Sequence, residues 1–106
     1  MGAFNWDYSE YSDILHVHKK NCRTKGSVEV GDFTLEFDDH DEVIGIEIEH
    51  ASEFFSNIDM DKASLSNIQD AQIIMDKKNP QCQLIFLRLK VAHVVKNILM
   101  PLPVIA

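Results

Sequence analysis

A run of alternating apolar and polar residues at positions 33–49 constrains the fold more than any other feature of the sequence. The apolar residues occupy every second position on either side of a polar stretch at 38–42: Phe33, Leu35, Phe37, Ile44, Ile46 and Ile48. Successive side chains of a β-strand point to opposite faces of a sheet. The period therefore predicts two half-buried strands joined by a turn.

Shorter stretches with the same period flank this hairpin. Residues 14–18 predict a strand with Leu15 and Val17 facing inward and two histidines on the other face. Val28 and Val30 mark a short strand, which Gly31 and Asp32 end with a hairpin turn. Consecutive short strands with short connections predict an antiparallel meander.

The period changes at residues 51–60. Phe54, Phe55 and Ile58 have the spacing of one helical face, and Ser52 has the residue type of an N-cap. We expect this helix to pack its apolar face on the sheet.

The second half of the chain predicts further strands at 71–75 and 83–91. Ile85, Leu87 and Leu89 share one face of the longer strand, while Leu84 and Phe86 make the start of the other face apolar. A strand that is apolar on both faces is usually central in its sheet or at an interface. The chain continues into an almost wholly apolar stretch at 94–106, which Pro101 and Pro103 confine to an edge or an extended segment.

The fold class predicted from these patterns is α+β, mainly β. We expect an antiparallel β-meander sheet packed by a short helix, with additional C-terminal strands. The length of 106 residues suits a single domain at 1–106. Within it, residues 1–57 would hold the meander and helix, and residues 58–106 the C-terminal extension.

Composition limits the partners and the location. The formal net charge of −7 disfavours nucleic acid and anionic membranes, because both require basic surfaces. No apolar stretch reaches the length of about 20 residues that spans a bilayer, and the first residues lack a signal-peptide pattern. We therefore expect a cytoplasmic protein. Cys22 and Cys82 are expected to be free thiols in that compartment, and a disulfide between them is the alternative.

The first half of the sequence resembles a small prokaryotic family, domain of unknown function 2283, over Trp6 to Phe55. The likeness is carried by single residues at positions 7–17, by the acidic turn, by the strand after that turn and by the residues that begin the helical stretch: Asp7, Asp13, Leu15, Val17, Phe37–Asp41, Ile44–Ile48, Ala51 and Ser52. His16 stands where an aromatic residue is usual, and His40 where glycine is common. The resemblance implies a β-rich fold and no assigned reaction.

The two histidines of the first clear strand are the sharpest candidates for chemistry. His16 and His18 share a face, and a His-x-His pair on a strand suits a metal ion completed by carboxylates such as Glu36 and Glu47. An ordinary polar outer face of a sheet is the competing interpretation, and the one that the sequence favours. No cofactor is predicted beyond this divalent metal.

Acidic residues offer weaker candidates. The turn at 38–42 contains oxygens that a hard cation prefers, but it lacks the pattern of a calcium loop. Asp7 and Asp13 are more typical of residues that cap turns by accepting backbone hydrogen bonds than of catalytic residues.

The apolar C-terminal stretch predicts either an interface or part of the core. The residues expected at an interface are Ile98, Leu99, Met100, Leu102, Val104 and Ile105. Common phosphate-binding, nucleophile and metalloprotease motifs are absent from the sequence. These features favour a non-enzymatic, self-associating module over a metal- or ligand-binding protein. The expected partners are a second copy of the chain, in a homodimer, and another protein.

Overall fold

The structure is a computed structural model that describes residues 2–79 and 83–100. In these residues the first sheet contains five antiparallel strands, β1 (Phe4–Ser9), β2 (Ile14–Lys19), β3 (Gly26–Val30), β4 (Phe33–Phe37) and β5 (Val43–Ile48). Helix α1 (Ala51–Phe55), a 3-10 turn (Ser56–Ile58) and helix α2 (Lys62–Leu65) follow. A second antiparallel sheet contains β6 (Ile68–Asp76), β7 (Leu84–Val91) and β8 (Val94–Leu99).

The predicted fold class, mainly β with a short helix, is confirmed, and the strand order adds one departure from a simple meander. The first sheet has the order β1-β2-β5-β4-β3. Strands β3, β4 and β5 are joined as hairpins, but β5 returns to pair with β2, so that Val17 lies opposite Ile46. The connection at 20–25 carries the chain from β2 to the far edge, which leaves the edge of β2 free for β5. Alternation within a strand specifies its faces, not its neighbours.

Strand β5 contains a bulge that interrupts its alternation. Glu36 of β4 lies opposite Gly45 and Phe37 lies opposite Val43, so Ile44 is the extra residue. Both Val43 and Ile44 are buried as a result.

The core lies between the two sheets. Strand β6 lies against β1, β2 and β5. The most deeply buried side chains come from both sheets and from α1: Leu15, Val17, Ile46, Ile48, Phe55, Ile85, Leu87 and Leu89. Strand β7 is central in the second sheet, as its two apolar faces predict. Among the described residues the second sheet has three strands and leaves the β3 edge of the five-stranded first sheet uncovered. Val28 and Val30 of β3 face inward but are therefore about half exposed, at 50% and 47%.

Helix α1 begins differently from the prediction. Ser52 was expected to be its N-cap, but His50 holds that position in a left-handed conformation and makes no side-chain cap. Instead, the carboxylate of Asp13 accepts a hydrogen bond from the Ser52 amide at 3.0 Å. The predicted helix at 51–60 is also shorter, because α1 ends at Phe55 and passes into the 3-10 turn. Phe54 packs edge-on against Phe33 of β4, which seats α1 on the first sheet.

Asp13 joins three parts of the chain. Its Oδ1 accepts from the Tyr8 hydroxyl at 2.6 Å, and its Oδ2 accepts from the Ser52 hydroxyl at 2.7 Å. Its own carbonyl accepts from the Ala51 amide at 2.9 Å, and its amide donates to Ser9 at 2.7 Å. Burial raises the pKa of this carboxyl, but the hydrogen bonds from Tyr8 and Ser52 outweigh burial and lower the pKa below its usual value. Asp13 therefore has a structural role: it accepts hydrogen bonds that hold the chain together, as the sequence analysis predicted.

Replacing Asp13 by alanine is expected to lower the free energy of unfolding at pH 7 by about 1–3 kcal/mol, because a helix cap and two further hydrogen bonds are lost together. Since the folded pKa lies below the ordinary value of 3.8, the stabilisation is present above that pH. It is lost as the pH falls through the folded pKa. Urea denaturation of the natural protein and Asp13→Ala at neutral and acidic pH measures both effects. Asp39→Ala, at an exposed aspartate, is the control, and an equal cost for the two variants would contradict the structural role.

Candidate functional site

The outer face of the first sheet gathers the histidines and carboxylates that the sequence singled out. The register places Asp7, His16, Glu47 and Thr34 in one row across β1, β2, β5 and β4. The neighbouring row contains Asn5, His18, Gly45 and Glu36. These eight residues are called the polar face below. His16, His18, Glu36 and Glu47 thus lie on one face of the sheet around Gly45.

Gly45 leaves a depression in the middle of the polar face. A Cβ atom at this position would lie 2.0 Å from Oε1 of Glu36 and 2.9 Å from Cδ2 of His18. Both distances are too short for real atoms, so the two side chains fill the space that glycine leaves. From there Glu36 reaches across the strands, and its Oε1 lies 2.7 Å from Nε2 of His16. The side chain of Glu36 is 21% exposed and that of His16 is 39% exposed.

His18 lies close to this pair but its ring nitrogens face elsewhere. Its ring centroid is 5.8 Å from that of His16. Its Nδ1 lies 2.8 Å from the carbonyl oxygen of Lys19, and its Nε2 lies 3.1 Å from Oγ1 of Thr24. The four residues predicted as metal ligands therefore share a surface without presenting all their donor atoms to one point.

A different group of donors converges at the β3–β4 turn. In the described part of the chain, Asp32, Glu49 and His50 form the group whose ligand atoms all lie within 4.8 Å of one another. The β4–β5 hairpin brings them together by pairing Phe33 with Ile48. The hydrogen bond that the His50 ring donates to the Asp32 carboxylate raises the pKa of His50. All three residues are exposed, and sequence analysis did not find them because Asp32 and His50 are 18 positions apart.

The acidic turn at 38–42 is explained by its own hydrogen bonds. Oδ1 of Asp38 accepts from the backbone amides of His40 at 2.8 Å and Glu42 at 2.9 Å. The bond from Glu42 is the main cause of the lowered pKa of Asp38. The turn borders an open groove of about 880 Å³ between β3, β4 and the end of β6, where Lys77 pairs with Glu42. An aspartate that caps a turn accounts for this acidic sequence without a cation.

The predicted interface residues occupy different environments. Met100 is 2% exposed and belongs to the core, and Ile98 packs against that core. Leu99 is 52% exposed at the end of β8, and Val94 and Val95 at the start of the same strand are 54% and 53% exposed. Leu102, Val104 and Ile105 lie outside the described residues, as does Cys82. The sequence predicted either an interface or the core for this stretch, and Met100 belongs to the core.

The architecture defines a small antiparallel β protein of two facing sheets, with a polar outer face on the larger one. Residues 5–52 match the model of a family described as "Protein of unknown function (DUF2283)", which confirms the resemblance predicted for the first half. An uncharacterized protein of Methanocaldococcus jannaschii is 38% identical over 53 residues, which are 50% of this chain and 45% of that protein. The chain thus matches about half the length of this relative. No solved structure matches the chain significantly. None of the helices in the described residues has the length and hydropathy needed to cross a membrane.

Gly45→Ala is expected to displace Glu36 from His16, because the new Cβ would occupy the position of Oε1. Losing this hydrogen bond should lower the free energy of unfolding by about 0.5–1.5 kcal/mol. Gly26→Ala is the matched control, since nothing lies within 4 Å of a Cβ there.

A double-mutant cycle with Glu36→Ala separates the contact from the strand itself. In the Glu36→Ala background the cost of Gly45→Ala should fall markedly, as measured by urea denaturation. An unchanged cost would mean that Gly45 is required for another reason.

Proposed function

We propose that the protein is a non-enzymatic interaction module that forms a homodimer through the edge of β8. The observation that supports this function is an apolar edge strand. Val94, Val95 and Leu99 are each more than half exposed on β8, which pairs only with β7 among the strands of residues 2–79 and 83–100. Exposed apolar edges of this kind are pairing sites unless a protein protects them.

The backbone of β8 has hydrogen-bonding groups directed to the open side. The Met100 amide donates to the carbonyl of Ile85 at 2.9 Å, so Met100 faces β7. Because backbone groups alternate in direction along a strand, Lys96 and Ile98 also face β7. Val95, Asn97 and Leu99 then direct their amide and carbonyl groups away from the sheet. A second strand would satisfy these groups.

The side chains on the outer face of the second sheet extend the apolar surface. Ile74, Phe86 and Leu99 lie in one row across its three strands, and Leu84 lies two positions before Phe86 in β7. Leu84 and Leu99 are exposed, while Ile74 and Phe86 are half-buried. Two copies joined at β8 would place these rows side by side and cover part of this apolar area.

The charged residue of β8 does not protect the edge. Natural edge strands often carry a lysine that discourages pairing. Lys96 instead lies on the inward face, opposite Leu89, and its Nζ donates to the carbonyl of Ile58 at 2.8 Å. Antiparallel pairing of two β8 strands about a two-fold axis would give one six-stranded sheet. A cytoplasmic location and a protein partner at the same edge belong to this proposal.

Leu99→Lys is expected to convert the dimer to a monomer of 12.1 kDa, because it places two like charges at the two-fold interface. Light scattering coupled to size exclusion measures the mass. Val28→Lys is the control, since Val28 is 50% exposed on an edge strand of the other sheet. A natural protein that is monomeric at high concentration, or a Leu99→Lys variant that stays dimeric, would contradict the proposal.

Asn97→Pro tests the backbone pairing separately. Proline removes an amide that points to the open side, and it leaves the hydrogen bonds to β7 in place. Asn97→Ala is its control, because both variants lose the hydrogen bond from Nε of Arg88 to the Asn97 side chain. Only the proline variant is expected to weaken the dimer.

A chain that ends at Met100 tests the predicted interface residues that lie outside the described part. If this shortened protein remains a dimer, β8 is sufficient. If it becomes a monomer, Leu102, Val104 and Ile105 hold the dimer, and the assignment to β8 is wrong.

A further inference from the structure

We propose that His16, His18 and Glu36 form a binding site for a divalent transition metal over Gly45. The site is independent of the proposed dimer, because it lies on the outer face of the first sheet and β8 belongs to the second. Nitrogen donors with one carboxylate suit zinc, cobalt and nickel, which accept imidazole and oxygen ligands together.

Two of the three donors are already adjacent. Nε2 of His16 and Oε1 of Glu36 lie 2.7 Å apart. In the absence of metal, a hydrogen bond joins these two atoms. A metal ion would take the place of the hydrogen between them, with both atoms moving apart by a few tenths of an ångström to the separation typical of two ligands of one ion.

The third donor requires a half-turn of one ring. Cδ2 of His18 and Oε1 of Glu36 lie 2.9 Å and 2.0 Å from the same point above Gly45, so the distance between these two atoms is no greater than the two values together. Rotating the imidazole by 180° exchanges Cδ2 with Nδ1 and directs a nitrogen to this position. The rotation gives up the exposed contacts with Lys19, at the end of β2, and with Thr24, in the connection that follows.

Gly45 is the residue that makes the arrangement possible. A glycine in the interior of a strand costs stability and often marks a place where other groups approach closely. Here any larger residue would exclude the Glu36 carboxylate and crowd the His18 ring. Glu47 and Asp7, the cross-strand neighbours of His16, add negative charge around the ion.

Titration of the tag-free protein with Co²⁺ and Zn²⁺ tests the site. Cobalt absorption in the visible range reports the ligand number, and calorimetry with zinc gives the affinity and stoichiometry. We expect one ion per chain. His16→Ala, His18→Ala and Glu36→Ala should each weaken binding by at least about tenfold.

Two controls separate this site from other donors. His40→Ala removes an exposed histidine in the acidic turn and should leave the affinity unchanged. The double variant Asp32→Asn/His50→Ala removes the converging group at the β3–β4 turn and should also leave it unchanged. Loss of binding in that double variant, with retention in His16→Ala, would overturn the proposal.

Gly45→Ala retains all three ligands but fills the space between them, and it should weaken binding about as much as loss of one ligand. Far-ultraviolet circular dichroism of each variant establishes that it is folded. Absence of stoichiometric binding by the folded natural protein would also overturn the proposal.

Discussion

The carboxylate of Asp13 is the group on which the arrangement of the first sheet and the helix depends. It binds Tyr8 of β1 and Ser52 of α1, while its backbone contacts Ser9 and Ala51. The turn between β1 and β2 is thereby fixed to the start of the helix that follows β5. Phe54 and Phe55 then take their positions over the sheet. A single charged side chain replaces the local N-cap that the helix lacks.

The local parts of the fold followed from side-chain period, and the long-range parts did not. Alternation correctly predicted β2, β4 and β7, the inward face of Leu15, and the shared face of Ile85 and Leu87. It did not predict that β5 pairs with β2, because pairing depends on which edge remains free after the chain has crossed to β3. Ser52 was assigned as a cap because serine commonly holds that position. The residue that accepts from the helix amide is 39 positions earlier, beyond any local pattern.

The candidate site shows the same division. That His16 and His18 share a face follows from a period of two. The approach of Glu36 to His16 depends on the register of three strands and on the missing side chain of Gly45. The apolar composition of the C-terminal stretch did not distinguish the buried Met100 from the exposed Leu99. Their difference arises because adjacent residues of an edge strand face opposite sides.

The family match covers an incomplete hydrophobic unit. Residues 5–52 contain nearly all of the five-stranded sheet and only the first two residues of α1. The inward side chains of these strands are apolar, so the segment by itself would expose one whole face to water. In this chain β6 to β8 cover most of that face. Any polypeptide built from the matched segment alone has to obtain its cover from elsewhere, from added sequence or from another molecule. Variation among relatives is therefore expected to concentrate in what covers the sheet, while the sheet itself stays the same.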